Sequence, residues 1–153
     1  MSCDARAIVF PAPGQVELRN VSIPEPGPGE LRARTLFSFV SPGTELRVLR
    51  GTKESKGEFP VIPGYAWIGR IEATGPETPG WEAGELVSGR NPLPIEGLTP
   101  LWGGQASCHR AAIHGPDAVL KLPANADPWA YVPVEVAAIS WRGVSMAFPA
   151  PDE

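Results

Sequence analysis

Nineteen prolines and seventeen glycines are spread along the chain between short apolar runs, and this spacing limits what the chain can fold into. Proline lacks an amide hydrogen and clashes with the preceding turn of a helix, and glycine loses the most backbone entropy on ordering. Together they make up about a quarter of the residues, close to the level at which low complexity is suspected. Because they separate apolar runs instead of clustering, they read as turn punctuation. That leaves little room for long helices and favours short strands joined by turns. A chain of 153 residues with 42% apolar content is most simply one domain with a real core.

Period-two patterning fills in the strands. Ala5–Phe10, the turn Pro11–Gly14 and the alternating Val16–Val21 make a hairpin. Pro24–Glu30 is a bend; its Gly-x-Gly follows no strand and precedes no helix, so it reads as a turn and not as a dinucleotide fingerprint. Leu31–Val40 is the next strand, and Ser41–Gly51 holds one or two helical turns ended by Gly51. Thr52–Glu58 is a polar surface loop. The stretch Phe59–Gly75 organises the middle of the chain: an apolar entry and a Pro-Gly turn lead into a β-rich run that stops at Gly75-Pro76. Further strands are expected at Leu86-Val87, Gln105–Ile113 and Ala118–Leu122, with Asn91–Gly104 as an aperiodic loop over a cleft. Pro128–Val144 is the only long helical candidate, with Val132, Val136, Ile139 and Gly143 near helix spacing. The expected architecture is a mainly β, barrel-like domain over residues 1–145 with short helices and one C-terminal helix, and a linker-like tail over residues 146–153.

A net charge of −4 without a basic cluster argues against nucleic acid, whose phosphates call for grouped Lys and Arg. No apolar run approaches the roughly 20 residues needed to span a bilayer, and the N-terminus lacks a signal pattern, so no membrane association is expected. Cys3 and Cys108 form neither a disulfide framework nor a metal knuckle and read as free thiols in a reducing cytoplasm. His109 and His114 fall on opposite faces of a strand, as edge or surface histidines. The five tryptophans read as core and interface anchors.

Several segments, taken in order, resemble the N-terminal GroES-like domain of the medium-chain dehydrogenase/reductase superfamily. Ile23–Leu31 is similar to the family's proline-rich turn, Pro42-Gly43-Thr44-Glu45 to its Cys-Gly-Thr-Asp, and Pro63-Gly64-Tyr65-Ala66 to its Pro-Gly-His-Glu. Gly80–Val87, Gly103–Ala106 and Lys121-Leu122-Pro123 continue the resemblance. It implies a partly open GroES-like β-barrel that binds a small-molecule substrate in an alcohol dehydrogenase-like oxidoreductase.

The departures carry as much information. Where zinc members of the family have the ligands Cys and His, this chain has Pro42 and Tyr65; Glu135 falls near the third ligand's position. Zinc needs about three N, S or carboxylate donors for a catalytic site, and the cysteine-rich structural lobe is missing from Asn91–Gly104. No zinc of either kind is therefore expected, as in the zinc-lacking branch that resembles bacteriochlorophyllide-type dehydrogenases. The chain stops at Glu153, about where the family's Rossmann domain begins, and contains no strand–GxGxxG–helix unit. The expectation is that this chain alone binds no cofactor and that NAD(P) enters if a Rossmann partner exists, the nucleotide domain being on a separate chain or absent through truncation.

Within that frame Tyr65 and Thr44 are the catalytic candidates, and Ser41, Glu45 and Trp102 are candidates for the substrate pocket. Each has a plainer reading. Tyr65 packs its ring in the barrel; Thr44 or Ser41 caps a helix; Glu45 favours the first helical turn; Trp102 anchors a loop. Two functions stay open: the substrate-binding half of a zinc-independent NAD(P)-dependent reductase, or a stand-alone domain that binds a small molecule or a protein. If the chain is such a half-enzyme, the side of Pro128–Val144 and of the Asn91–Gly104 loop that would face a Rossmann-domain partner is expected to show an apolar patch or a homodimer contact.

Overall fold

The computed structural model describes residues 2–52 and 59–147; the expected loop over residues 53–58 and the tail from residue 148 lie outside them. Strands β1 (Cys3–Val9) and β2 (Glu17–Ile23) form the expected antiparallel hairpin, with Cys3 opposite Ile23 and Val9 opposite Glu17. Ala5, Ala7 and Val9 alternate inward along β1.

The main sheet has five antiparallel strands in the order β8-β3-β5-β6-β9. They are β3 (Glu30–Phe39), β5 (Ala66–Thr74), β6 (Leu86–Gly89), β8 (Cys108–Ala112) and β9 (Leu120–Lys121). On one face Leu31, Ala33, Trp67, Ile71, Val87 and Ala111 form the principal core. On the other, Ile68, Leu86 and Leu122 pack with Tyr131 and Val132 from the approach to the last helix. Two bulges interrupt the β3–β5 ladder: Glu72 is an extra residue opposite the Arg32–Ala33 step, and Leu36 is extra opposite the Gly69–Ile68 step. Bulges bend a strand and re-aim side chains.

Two very short strands, β4 (Val61–Ile62) and β7 (Thr99–Pro100), pair in parallel and tie the Phe59–Gly75 stretch to the long loop. The sequence reading missed both, since a two-residue run has no period. The described sheets do not close, which agrees with a partly open, mainly β, GroES-like fold.

Helix α1 (Pro42–Leu49) starts with proline in its first turn, where a missing amide hydrogen costs nothing. Val48 is its buried anchor, and Gly51, at φ +70, turns the chain away. Helix α2 (Val134–Ala147) begins later than the patterning suggests. Pro128 and Pro133 supply no amide hydrogens, and the intervening residues form turns in which Asp127 accepts the Trp129 amide.

One side-chain placement differs from expectation. His109 is buried, its ring tilted by 32° against Trp67 with centroids 4.5 Å apart, where the Gly104–Ser107 segment and β1 lie over its strand. Of the tryptophans, Trp67 lies in the core, Trp81 and Trp102 pack against core clusters, and Trp129 and Trp141 are exposed. No described helix is long and apolar enough to cross a membrane.

Candidate functional site

Two clusters meet where β3 ends. The first is aromatic. Phe39 ends β3, and its carbonyl accepts the Tyr65 amide at 3.0 Å. The rings of Phe39 and Tyr65 meet edge-on at 6.1 Å, and Trp102 stacks on Tyr65 at 6.1 Å with the planes 26° apart. These spacings suit the quadrupoles of aromatic rings.

Local backbone demands fix that arrangement. Gly64 has φ +110, and a Cβ there would lie 2.5 Å from the Gln105 amide nitrogen. This close approach lets Gly104 and Gln105 donate to the carbonyls of Gly64 (3.0 Å) and Pro63 (2.9 Å). Trp102 itself sits at φ +60, and its carbonyl accepts the Asn91 amide at 2.9 Å. The Pro-Gly and Gly-Gly pairs are thus what bring Tyr65 and the long loop together.

The second cluster is polar and lies at the start of α1. Ser41 occupies the N-cap position, but its hydroxyl bonds the Thr44 hydroxyl (3.1 Å) and caps no backbone amide. The Ser41 amide donates to the Glu45 carboxylate at 3.2 Å. Burial pushes the Glu45 carboxyl above its ordinary range, and the Ser41 amide pulls weakly the other way. Ser41, Thr44 and Glu45 therefore form one hydrogen-bonded group, joined to Tyr65 through the short backbone path from Phe39. Among the described residues no hydrogen bond links Thr44 to Tyr65, and none is formed by the Tyr65 hydroxyl.

A shallow hollow of about 290 Å³ lies beside this region, lined by Ser38, Gly104, Gln105 and Ala106 with Ile8 and Leu18. A larger one of about 680 Å³ lies on the hairpin, between Arg6, Asn20 and Arg34. Sequence reasoning singled out Tyr65 and Trp102 but missed Phe39 as the third ring, and His109 as the buried support below the Gly103-Gly104 turn. An aromatic at a strand end gives no signal of what it meets across the fold.

The family's zinc does not fit these residues. Pro42 has no donor atom, Tyr65 offers only a phenol between two rings, and the Glu135 carboxylate lies on α2 at 3.8 Å from Arg90. Nor does the chain's Gly-x-Gly make a nucleotide cradle. Gly27 accepts the Glu30 amide, Gly29 donates to Pro76, and β3 follows in place of a helix.

No protein-family model matches the chain. It is 28% identical over 138 residues to 2-desacetyl-2-hydroxyethyl bacteriochlorophyllide A dehydrogenase of Rhodobacter capsulatus, covering 80% of this chain and 43% of that protein. It is 34% identical over 85 residues to L-threonine 3-dehydrogenase of Pyrococcus horikoshii, covering 54% of this chain and 24% of that protein. The chain thus spans less than half the length of these relatives. Among solved structures it superposes on an alcohol dehydrogenase zinc-binding domain protein of Burkholderia ambifaria with TM-score 0.73 and 17% identity, covering 88% of this chain and 46% of that one. A short chain alcohol dehydrogenase of Escherichia coli, complexed with NADH, gives TM-score 0.65 and 19% identity over 86% of this chain and 42% of that one. These relatives and structural neighbours are dehydrogenases of the alcohol dehydrogenase type, and what this chain matches in them is the N-terminal domain.

Proposed function

We propose that this chain is the substrate-binding domain of a zinc-independent, NAD(P)-dependent alcohol dehydrogenase or reductase, working with a nucleotide-binding domain that lies outside these 153 residues. The observation that carries the reading is Tyr65. It stands where the family's zinc members place a metal-binding histidine, its ring is fixed between Phe39 and Trp102, and its hydroxyl is left without a hydrogen bond among the described residues. A positioned phenol supplies what the metal otherwise supplies: a donor aimed at the oxygen that becomes negative as the carbonyl is reduced.

Hydride comes from the nicotinamide of the partner domain to the carbonyl carbon. This chain's part is to bind the substrate, donate a hydrogen bond from Tyr65 to its oxygen and deliver a proton there. In this reading the Ser41–Thr44 hydroxyl pair and the Glu45 carboxyl, which burial shifts towards its protonated form, exchange that proton. The docking face for the nucleotide domain is α2, which exposes Val136, Ile139, Trp141, Val144 and Met146. A cytoplasmic setting goes with this reading and with the two free thiols. The same apolar helix supports the second reading, a stand-alone domain whose partner is a protein or a second copy of the chain.

Nuclear magnetic resonance of the labelled chain, titrated with short ketones, aldehydes and alcohols and separately with NADH and NADPH, tests the assignment. Carbonyl compounds are expected to shift the Tyr65 and Trp102 signals saturably in the wild type and not in Tyr65→Phe. Saturable nucleotide binding by the chain alone overturns the separate-domain assignment. Carbonyl compounds that leave Tyr65 and Trp102 untouched overturn the substrate-site assignment in favour of the binding-domain reading.

A further inference from the structure

Three strands far apart in sequence bring a metal donor set together. Cys3 opens β1, Cys108 opens β8 and Glu72 lies within β5. Their two sulfur atoms and a carboxylate oxygen all lie within 4.8 Å of one another. The topology explains the meeting. β3 is the shared neighbour, pairing with β8 so that Arg34 faces Cys108, and with β5 on its other side. Glu72 is the extra residue of the bulge, and its carboxylate turns to the Arg34 guanidinium. The hairpin then lies over this face: Arg6 and Ser107 exchange hydrogen bonds, and Cys3 packs against the cluster of Ala5, Ile23 and Cys108.

We infer that Cys3, Cys108 and Glu72 form a binding site for a thiophilic divalent metal ion of the Zn²⁺ type, which clamps the N-terminal strand onto the main sheet. Two thiolates and a carboxylate are a donor set that suits Zn²⁺, with a fourth, tetrahedral position left for water. Binding exchanges two thiol protons for the ion, so the loaded site carries one net negative charge. Arg34 is placed to balance it: one nitrogen holds Glu72, and another lies 3.8 Å from Cys3 Sγ. Zinc–sulfur and zinc–oxygen bonds imply ligand–ligand edges of about 3.5–3.8 Å. By the 4.8 Å limit the donors are already within about 1.3 Å of those edges. Cys108 is fixed in the core, whereas Cys3 and Glu72 are more accessible and can close the remainder. None of the three ligands comes from α1 or from the Pro63–Tyr65 turn, so the site is independent of the proposed catalytic region.

The test is cobalt titration of the whole, fully reduced chain under anaerobic conditions, with thiols counted beforehand in denaturant. A thiolate-to-cobalt charge-transfer band is expected, saturating at one ion per chain and displaced by Zn²⁺, with Zn²⁺ also raising the melting temperature. Cys3→Ser, at the more accessible ligand, abolishes the band, and Glu72→Gln weakens cobalt binding roughly tenfold or more while the chain stays folded. Absence of the band with both thiols reduced overturns the inference, and so does a band that persists in Cys3→Ser. A Cys3–Cys108 disulfide, seen as a mass lighter by two hydrogens, that forms in preference to cobalt binding when both metal and air are supplied overturns it as well.

Discussion

Trp102 stacks on Tyr65 with ring centroids 6.1 Å apart and planes inclined by 26°, so a residue of the long loop holds in place the phenol that the catalytic proposal depends on. The ring and the hydroxyl of Tyr65 are separable. Tyr65→Phe keeps the stack and the contact with Phe39, and its effect on stability is expected to stay within about 1 kcal/mol. In the enzyme completed by its nucleotide domain, the same substitution is expected to lower turnover by about 10²-fold or more, the usual worth of a positioned proton donor. Tyr65→Ala removes both parts and should cost about 2 kcal/mol in stability besides. Denaturant melts set beside steady-state rates separate the two effects. Equal turnover in Tyr65→Phe and wild type would remove the hydroxyl from the mechanism.

His109 makes the fold sensitive to acid. Burial beside Trp67 lowers its pKa from 6.5 to about 3, and a hydrogen bond with the Gly104 backbone only partly opposes this. The unfolded chain therefore takes up a proton on His109 below about pH 6.5, while the folded chain does not until about pH 3. Within that window the unfolded state binds more protons, so stability falls as pH falls, by up to about 1.4 kcal/mol per pH unit from this residue. Above pH 6.5 the contribution is constant. Its Nε2 has no hydrogen-bond partner, so an aromatic replacement leaves no partner stranded there. Urea melts of wild type and His109→Phe between pH 4 and 7 are expected to show a shallower pH slope in the variant, whatever its absolute stability. Parallel slopes would mean that His109 is protonated in the fold.

Much of this architecture was legible in the chain, and the residues that were not share one physical cause. Strands with a clear period, such as Glu17–Ile23 and Glu30–Phe39, announce themselves, and Gly51 marks the end of α1. Tyr65 could be singled out because the resemblance puts it at the family's histidine ligand, on a turn where a pocket should open, and Trp102 because it lies in the long loop. The burial of His109, the Phe39 contact and the Cys3–Glu72–Cys108 cluster could not. Each depends on which segment lies over which, and on a bulge at Glu72 that no local pattern encodes. The late start of α2 is a failure of another kind: periodicity carried through Pro133, where backbone chemistry stops it.

Gly64 and Gly143 should respond to alanine with opposite signs. At Gly64 the methyl group meets the Gln105 nitrogen at 2.5 Å, and φ is +110. Both the clash with backbone and the conformational strain act against Gly64→Ala, which is expected to cost about 3 kcal/mol or more and to separate Tyr65 from the Gly104-Gln105 turn. Gly143 lies inside α2 with open space around it. There the gain is in helix propensity, and Gly143→Ala should stabilise α2 by about 0.5–1 kcal/mol. Hydrogen exchange in α2 reads the second change locally, and global denaturant unfolding reads the first. A mild Gly64→Ala would show that the turn can rearrange, and with it the site.

Trp141 is 70% exposed on α2, and no residue of that helix is buried, so its apolar side chains stabilise this chain little. That is the pattern of a surface whose burial happens on association. Trp141→Ser is therefore expected to leave the stability of the isolated chain within about 0.5 kcal/mol. It should weaken docking of the nucleotide domain, or self-association, by roughly 10- to 100-fold, as loss of a tryptophan hot spot does. Acrylamide quenching gives a second readout: Trp141 is accessible in the isolated chain and should become shielded when the partner binds. Trp129, the other exposed tryptophan, packs edge-on against Phe37 at 5.3 Å and serves as an internal control. If Trp141→Ser alters neither sedimentation nor partner affinity, α2 is not the docking face, and the proposed junction with the nucleotide domain must be sought along the Asn91–Gly104 loop instead.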